Sequence, residues 1–449
     1  MTSMGEDSRS IGGANRRRFL KVTGAAVSGI ALAGCASDDA GSGGGESGGG
    51  GGGESGGGGG SGSSEGGGTS TGTQESSVEE VVIGSNHPLS GGLASTGTGM
   101  HNAVQLAAQR KNEEGGIESL GGAEVTVIRG DNQGAQELGG QVSEELISEG
   151  AHVLTGCFSS PVTTAATQVA ERQSVPFVIS VAADDAILQG RGFNYVYRPQ
   201  PPARRLARDY ADLVPEVIRQ NGGTIETAGL FYVNNSYGQA IKNALNEFLP
   251  EEDIEVTVET ALEFGSSSAN TQASRLRQEE PDTVIATTYA PGGVVLCQAM
   301  QDINYRPPYF TACASATFTD EDAIADVGDF ANGVLDNNYA LNPTIDKTGQ
   351  VREEFNSNYE QQFSASVGMS FVAGEVIIEA IEQAGSVDHD DINNALKELT
   401  YEDHIAAMGP ITFQENGENE NALGAVNQVQ DGAVRVVYPE EFAEASPQL

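Results

Sequence analysis

Val153-Leu154-Thr155-Gly156-Cys157-Phe158-Ser159-Ser160 is an apolar run that stops at a pair of serines. Thr163 to Arg172 then carries a helical pattern, and Val175-Pro176-Phe177-Val178-Ile179-Ser180 turns apolar again. A short buried strand, a helix and a second buried strand in so few residues form a crossover unit, which joins parallel strands. Outward from this unit the same rhythm repeats. Upstream, Val81 to Ile83 reads as a strand, Met100 to Lys111 as a helix ended by Gly115-Gly116, Glu124 to Arg129 as a strand and Ala135 to Glu149 as a helix. Pro199-Gln200-Pro201-Pro202 breaks the pattern, which then restarts. Helices are expected over 205–221, 237–248, 271–279 and 293–303, with strands over 228–233, 255–260, 283–288 and 309–311. Two successive sets predict an α/β fold of two doubly wound, parallel-sheet lobes. In such sheets ligands bind beyond the carboxyl ends of the strands, so facing lobes would enclose a site between them.

The first 77 residues read differently. Arg16-Arg17-Arg18-Phe19-Leu20-Lys21 precedes the apolar, Gly/Ala-rich stretch from Val22 to Ala33, too short to span a bilayer and suited to a signal-peptide core. The paired Arg16 and Arg17 resemble a twin-arginine export signal. Leu32-Ala33-Gly34-Cys35 resembles a lipobox, which makes Cys35 the lipid-bearing first residue of the exported chain, because a thiolate is the nucleophile that accepts a lipid. Residues 36–77 are mostly Gly and Ser with a few acids and no aromatic side chain, the composition of a flexible tether. After Cys35 no apolar run reaches the 18 or so residues of a spanning helix.

Charge excludes one function class outright. Asp and Glu total 63 against 23 Lys and Arg, a formal charge of −40. A nucleic-acid binder needs the opposite sign to displace phosphate counterions. Such acidity with few lysines points to a surface kept hydrated in concentrated salt, where a Debye length near 3 Å at 1 M mutes self-repulsion. Catalytic signatures are missing as well. The five histidines (His87, His101, His152, His389, His404) never fall at HExxH spacing, and the folded part has neither a GxSxG elbow nor a P-loop lysine. No enzyme, cofactor or metal is expected. Cys157, Cys297 and Cys313 remain after lipidation, with unpaired buried thiols as the default.

From about Glu79 to Pro439 the chain resembles the leucine/isoleucine/valine-binding protein family, the type I solute receptors of ABC transporters. The resemblance rests on Gly84 to Gly91, Asn112 to Ile117, Asp131-Asn132, Gly156 to Ser160, Val175 to Ser180, Ser236 to Gln239, Pro281 to Ile285 and Gly409 to Phe413, in that order. It implies a type I periplasmic binding protein fold whose chain crosses the hinge three times, placed near Pro199, Asn338 and Gly409. The expected organisation is 1–34 signal peptide, 35–77 lipidated Cys and linker, 78–200 with 338–408 as the first lobe, 201–337 with 409–440 as the second, and 441–449 as a tail. It further implies a monomeric receptor on the outer face of the cytoplasmic membrane, held there by its lipid and serving a permease and an ATPase. A sensory receptor for a membrane kinase uses the same fold.

The resemblance also places a site. Ser159 and Ser160 open a helix, where a hydroxyl and free N–H groups suit a carboxylate, although Ser also caps helices for its own sake. Ala182, Ala183 and Asp184 fall where the family contacts the ligand's amino-acid end, with Asp184 a departure from a family Thr that either pairs an ammonium or caps a helix and points away from the cleft. Tyr237 and Tyr289 belong to the second lobe and close over the ligand. Family members often carry a Glu in the loop after Tyr309-Phe310-Thr311 to pair an ammonium, but here Ala312 to Ala316 has no acid. Branched-chain amino acids, short amides, urea and carboxylates without an amine all remain open as ligands.

Overall fold

The computed structural model describes residues 78–449, so the expected export signal, Cys35 and the Gly/Ser stretch lie outside the described residues. The described residues fall within one compact unit that contains two large sheets. In the first sheet, strands β1 (Glu80–His87), β2 (Glu124–Asp131), β3 (Val153–Gly156), β4 (Phe177–Ile179) and β5 (Val196–Tyr197) are all parallel in the order 2-1-3-4-5. Helices α1 (Ala94–Glu113), α2 (Gln136–Ser148) and α3 (Ser160–Gln173) connect them.

The second sheet repeats the plan. Strands β6 (Thr227–Val233), β7 (Glu255–Leu262), β8 (Thr283–Thr287), β9 (Tyr309–Cys313) and β10 (Leu335–Asn338) run parallel in the order 7-6-8-9-10. Around them lie α4 (Ala203–Gln220), α5 (Ser236–Phe248), α6 (Asn270–Glu279), α7 (Ala290–Asp302) and α8 (Glu321–Val327). After β10 the chain returns to the first lobe as α9 (Asp346–Asn358), α10 (Ala365–Ala384) and α11 (His389–Glu398). A small pair of strands, β11 (Thr400–Tyr401) with β12 (Ile411–Thr412), follows, and β13 (Ala425–Gln430) and β14 (Ala433–Tyr438) close the second sheet antiparallel to β10. Both parallel sets therefore share one strand order, with the switch in direction between β1 and β3 in one lobe and between β6 and β8 in the other.

Helix α10 is apolar on nearly every side, which suits a helix covered all round. It packs along α1 and touches β3 and β4. A Cβ at Gly374 would come within 3.0 Å of the Ala107 Cβ, so Gly allows this close approach. One acid lies in the same layer. Lys347 Nζ bonds Glu375 Oε1 at 2.8 Å and Asp403 Oδ2 at 3.0 Å. Burial nevertheless pushes the Glu375 carboxyl up to about 7.

The passage back to the second sheet comes later than Gly409. Residues beyond that point stay with Arg198: its N–H donates to Gly417 O at 2.8 Å, and the Asn419 N–H donates to Arg198 O at 3.1 Å. Contact with α4 begins at Gly424, whose N–H donates to Asp209 Oδ2 at 2.7 Å. The chain thus leaves the hinge between Asn419 and Gly424, because the turn at Gly417 is needed to reach Glu418 back to Arg198. Arg198 is fully buried and donates through Nη1 to both Ala182 O and Asp184 O at 2.9 Å, while Nε donates to Glu418 Oε2 at 2.9 Å.

Candidate functional site

A narrow cavity of about 20 Å³ lies between the lobes at the carboxyl ends of both sheets. From the first lobe it is lined by Phe158 and Ser160 after β3, by Val181, Ala182 and Ala183 after β4, and by Ser366 on α10. The second lobe supplies Tyr237 after β6, Tyr289 after β8, Ala314 and Ala316 after β9, and Asn338 and Tyr339 after β10. These positions follow from the strand order, since chain ends part at the two switch points and leave a crevice there. Phe158 (φ 78°) and Ala314 (φ 59°) hold left-handed backbones without being Gly, one on each side of the cavity. Such conformations cost of order 1–3 kcal/mol and persist where surroundings enforce them, which marks these two loops as shaped for the cavity.

The two lobes touch across it. The Tyr289 hydroxyl donates to Ser159 Oγ at 3.2 Å, and Asn235 Nδ2 donates to the same hydroxyl at 3.2 Å. The Tyr237 hydroxyl donates to Ala314 O. Burial pushes the pKa of both tyrosines above the ordinary value, so both stay neutral. Their rings stand 5.3 Å apart, and Phe158 lies 5.4 Å from Tyr289 on the first-lobe side. The lining is aromatic and small-apolar with few polar atoms, the usual composition of a small-molecule site.

Of the residues singled out in the sequence, Ser160, Ala182, Ala183, Tyr237 and Tyr289 come together here. Ser159 lies just behind, buried against Tyr289. Ser160 Oγ accepts the Asp184 N–H at 3.3 Å and is the first residue of α3, whose leading N–H groups have no partner within the helix. Asp184 is a correction. Its carboxylate accepts the Ala186 N–H at 3.0 Å and caps the short turn of residues 185–187, so it is turned into the protein instead of lining the cavity. An Asp two residues ahead of an unpaired N–H finds that local bond first.

His87 is not a surface residue. It is fully buried, bonds Ser85 Oγ at 2.9 Å and Ser180 Oγ at 3.0 Å, and Ser85 Oγ also meets His101 Nδ1 at 2.9 Å. Burial, then the neighbouring His101, lowers the His87 pKa to about 3; burial, then Arg129, lowers that of His101 to about 4. Both rings are neutral props beneath the end of β1. Residues that sequence reasoning missed are Phe158, Asn338, Tyr339 and Ser366, together with a fully buried acid, Asp336, behind the wall. Asp336 accepts Asn338 Nδ2 at 2.8 Å and the Ser315 N–H at 3.4 Å, and burial holds its carboxyl well above the usual range. Alternation along Leu335-Asp336-Asn337-Asn338, which sets Asp336 and Asn338 on one face, was the available signal. Among the described residues, no group of His, Cys, Asp and Glu could hold a metal ion, Cys157, Cys297 and Cys313 are buried free thiols, and no helix is long and apolar enough to cross a membrane.

Two facing lobes with a small cavity between their strand ends have the arrangement of a ligand-binding protein. The chain belongs to the periplasmic binding protein family, whose model matches residues 80–433. It is 26% identical over 379 residues to the Leu/Ile/Val-binding protein homolog 8 of Brucella melitensis biotype 1, covering 82% of this chain and 93% of that protein. Among solved structures it is similar to the branched-chain amino acid transporter binding protein LivJ of Streptococcus pneumoniae in complex with isoleucine (TM-score 0.69, 18% identity, 80% of this chain and 100% of that one). A solute binding protein of an ABC transporter from R. palustris in complex with benzoate is comparable (TM-score 0.68, 16% identity, 81% and 99%).

Proposed function

We propose that this chain is the lipid-anchored solute receptor of an ABC importer, which captures a small carboxylate-bearing solute between its lobes and presents it to a permease. The observation that carries this reading is the cavity at two opposed switch points, bridged from Tyr289 to Ser159. Ser160 and the positive end of α3 receive the carboxylate, and Tyr237 and Tyr289 cover the body of the solute. The relatives' isoleucine and benzoate have a carboxylate in common. Residues 1–34 export the chain through the twin-arginine signal at Arg16 and Arg17, Cys35 carries the lipid, and 36–77 tether a monomeric receptor outside the membrane. A tether of that length reaches roughly 35–40 Å. Fractionation of cells producing Cys35→Ser tests the anchor, with the variant expected in the soluble fraction after a salt wash. A variant that stays with membranes refutes it. Mass spectrometry of the solute released from natively purified protein tests the receptor role.

A further inference from the structure

The cavity lining carries helix starts and hydroxyls but no carboxylate. The starts of four helices meet at the cavity: Ser160 begins α3, Tyr237 is second in α5, Tyr289 caps α7 and Ser366 is second in α10. Each start leaves N–H groups without helical partners and carries the positive end of its helix. Four carbonyl groups beside the cavity already accept a bond. Ala182 O and Asp184 O accept from Arg198, Ala183 O accepts the Ala203 N–H at 2.6 Å, and Ala314 O accepts the Tyr237 hydroxyl. The two nearby acids face elsewhere: Asp184 caps its own turn, and Asp336 spends its oxygens on Ser315 and Asn338 behind the wall. No Asp or Glu lines the cavity, whereas aromatic rings and alanines do.

Resting on the solute-receptor reading, we propose that the cleft selects a carboxylate with an apolar body and no ammonium group, and discriminates against the amino acid of the same shape. An anion gains from four helix starts and from the serine hydroxyls. An ammonium brought to the same wall would be buried without a counter-charge beside it, the costliest form of burial. The apolar body fills the space among Phe158, Tyr237, Tyr289 and Tyr339.

Matched pairs that differ only in the amine decide the matter: leucine against 4-methylpentanoate, and phenylalanine against 3-phenylpropanoate. Calorimetry on the full chain, stripped of retained solute, is expected to show the deaminated member of at least one pair binding about tenfold or more tightly than its twin, some 1.4 kcal/mol. Equal or tighter binding of the amino acids overturns the proposal, as does failure of both deaminated acids to bind. Repeating the titration with Ala183→Trp, which fills the cavity, tests the location separately. Loss of carboxylate binding there places it in the cleft. Undiminished binding refutes the cleft as the site whatever the class preference.

Discussion

The two lobes share a strand order but differ in what they bring to the cleft. The first lobe presents small residues, hydroxyls and a helix start, propped from below by neutral His87 and its serines. The second presents tyrosines whose hydroxyls are turned to protein partners and whose rings are left for the solute. On the proposed reading one lobe fixes the polar end of the solute and the other covers its apolar end, one topology with two tasks set by the residues at its strand ends. The lobes also differ in how they house a sheltered carboxyl. Glu375 has Lys347 beside it, while Asp336 has only neutral donors.

The largest expected effect comes from reversing the first lobe's task. Ser160→Asp sets a fixed anion where the solute carboxylate docks, and binding of the natively retained solute should fall at least about a hundredfold, near 3 kcal/mol. Binding that survives would show that the polar end is held elsewhere. Stability comes next. The folded-state pKa of Glu375 is about 7 against an ordinary 4.5. Below pH 4.5 both states are protonated and burial costs nothing; above pH 7 both are ionised and the folded state alone carries the cost. Stability from this group therefore falls as pH rises from about 4.5 to 7, by up to about 3 kcal/mol. Thermal melts of wild type and Glu375→Gln over pH 5 to 8 should show the wild type losing ground against the variant. Parallel curves would mean that Lys347 neutralises the burial cost.

Smaller effects separate holding from covering. Ser160→Ala should weaken solute binding by about 1.5–3 kcal/mol, the range for a hydrogen bond to a charged group. Tyr289→Phe keeps the ring and loses the bond to Ser159, so it should cost about 0.5–1.5 kcal/mol, read as faster release in stopped-flow. If Tyr289→Phe proved the costlier of the two, the second lobe would be holding the polar end and the assignment of tasks would have to be exchanged.

The strands and helices up to Thr311 were legible because their cores are apolar and periodic, and most ends fall within a few residues of expectation. β1 shows why some did not. Only Val81 to Ile83 reads as strand, yet the strand runs to His87, because Ser85, Asn86 and His87 are buried through side-chain bonds that hydropathy does not register. Asn86 Nδ2 reaches Gly139 O at 2.9 Å and Ser143 Oγ at 3.0 Å, residues some fifty positions away. Phe158 and Tyr339 were missed for a similar reason: an aromatic side chain at a strand end looks like packing until the opposite lobe is in place. For Asp184 the sequence left both a local cap and a ligand contact open, since the two call for the same residue, and the structure shows the cap. The hinge passage after Gly409 depended on Glu418 meeting Arg198, a contact no periodicity records.

That contact differs in kind from the ion pairs on the outer surface. Ion pairs on the outer surface, such as Arg172 with Glu144 or Arg204 with Glu247, stand in solvent and fade as dissolved ions crowd around them. Arg198 has no exposed side chain at all, and its partner Glu418 little. Dissolved ions cannot come between the two. The clasp that Arg198 places on the carbonyls of Ala182 and Asp184 is therefore far less open to screening than the acid-rich surface around it.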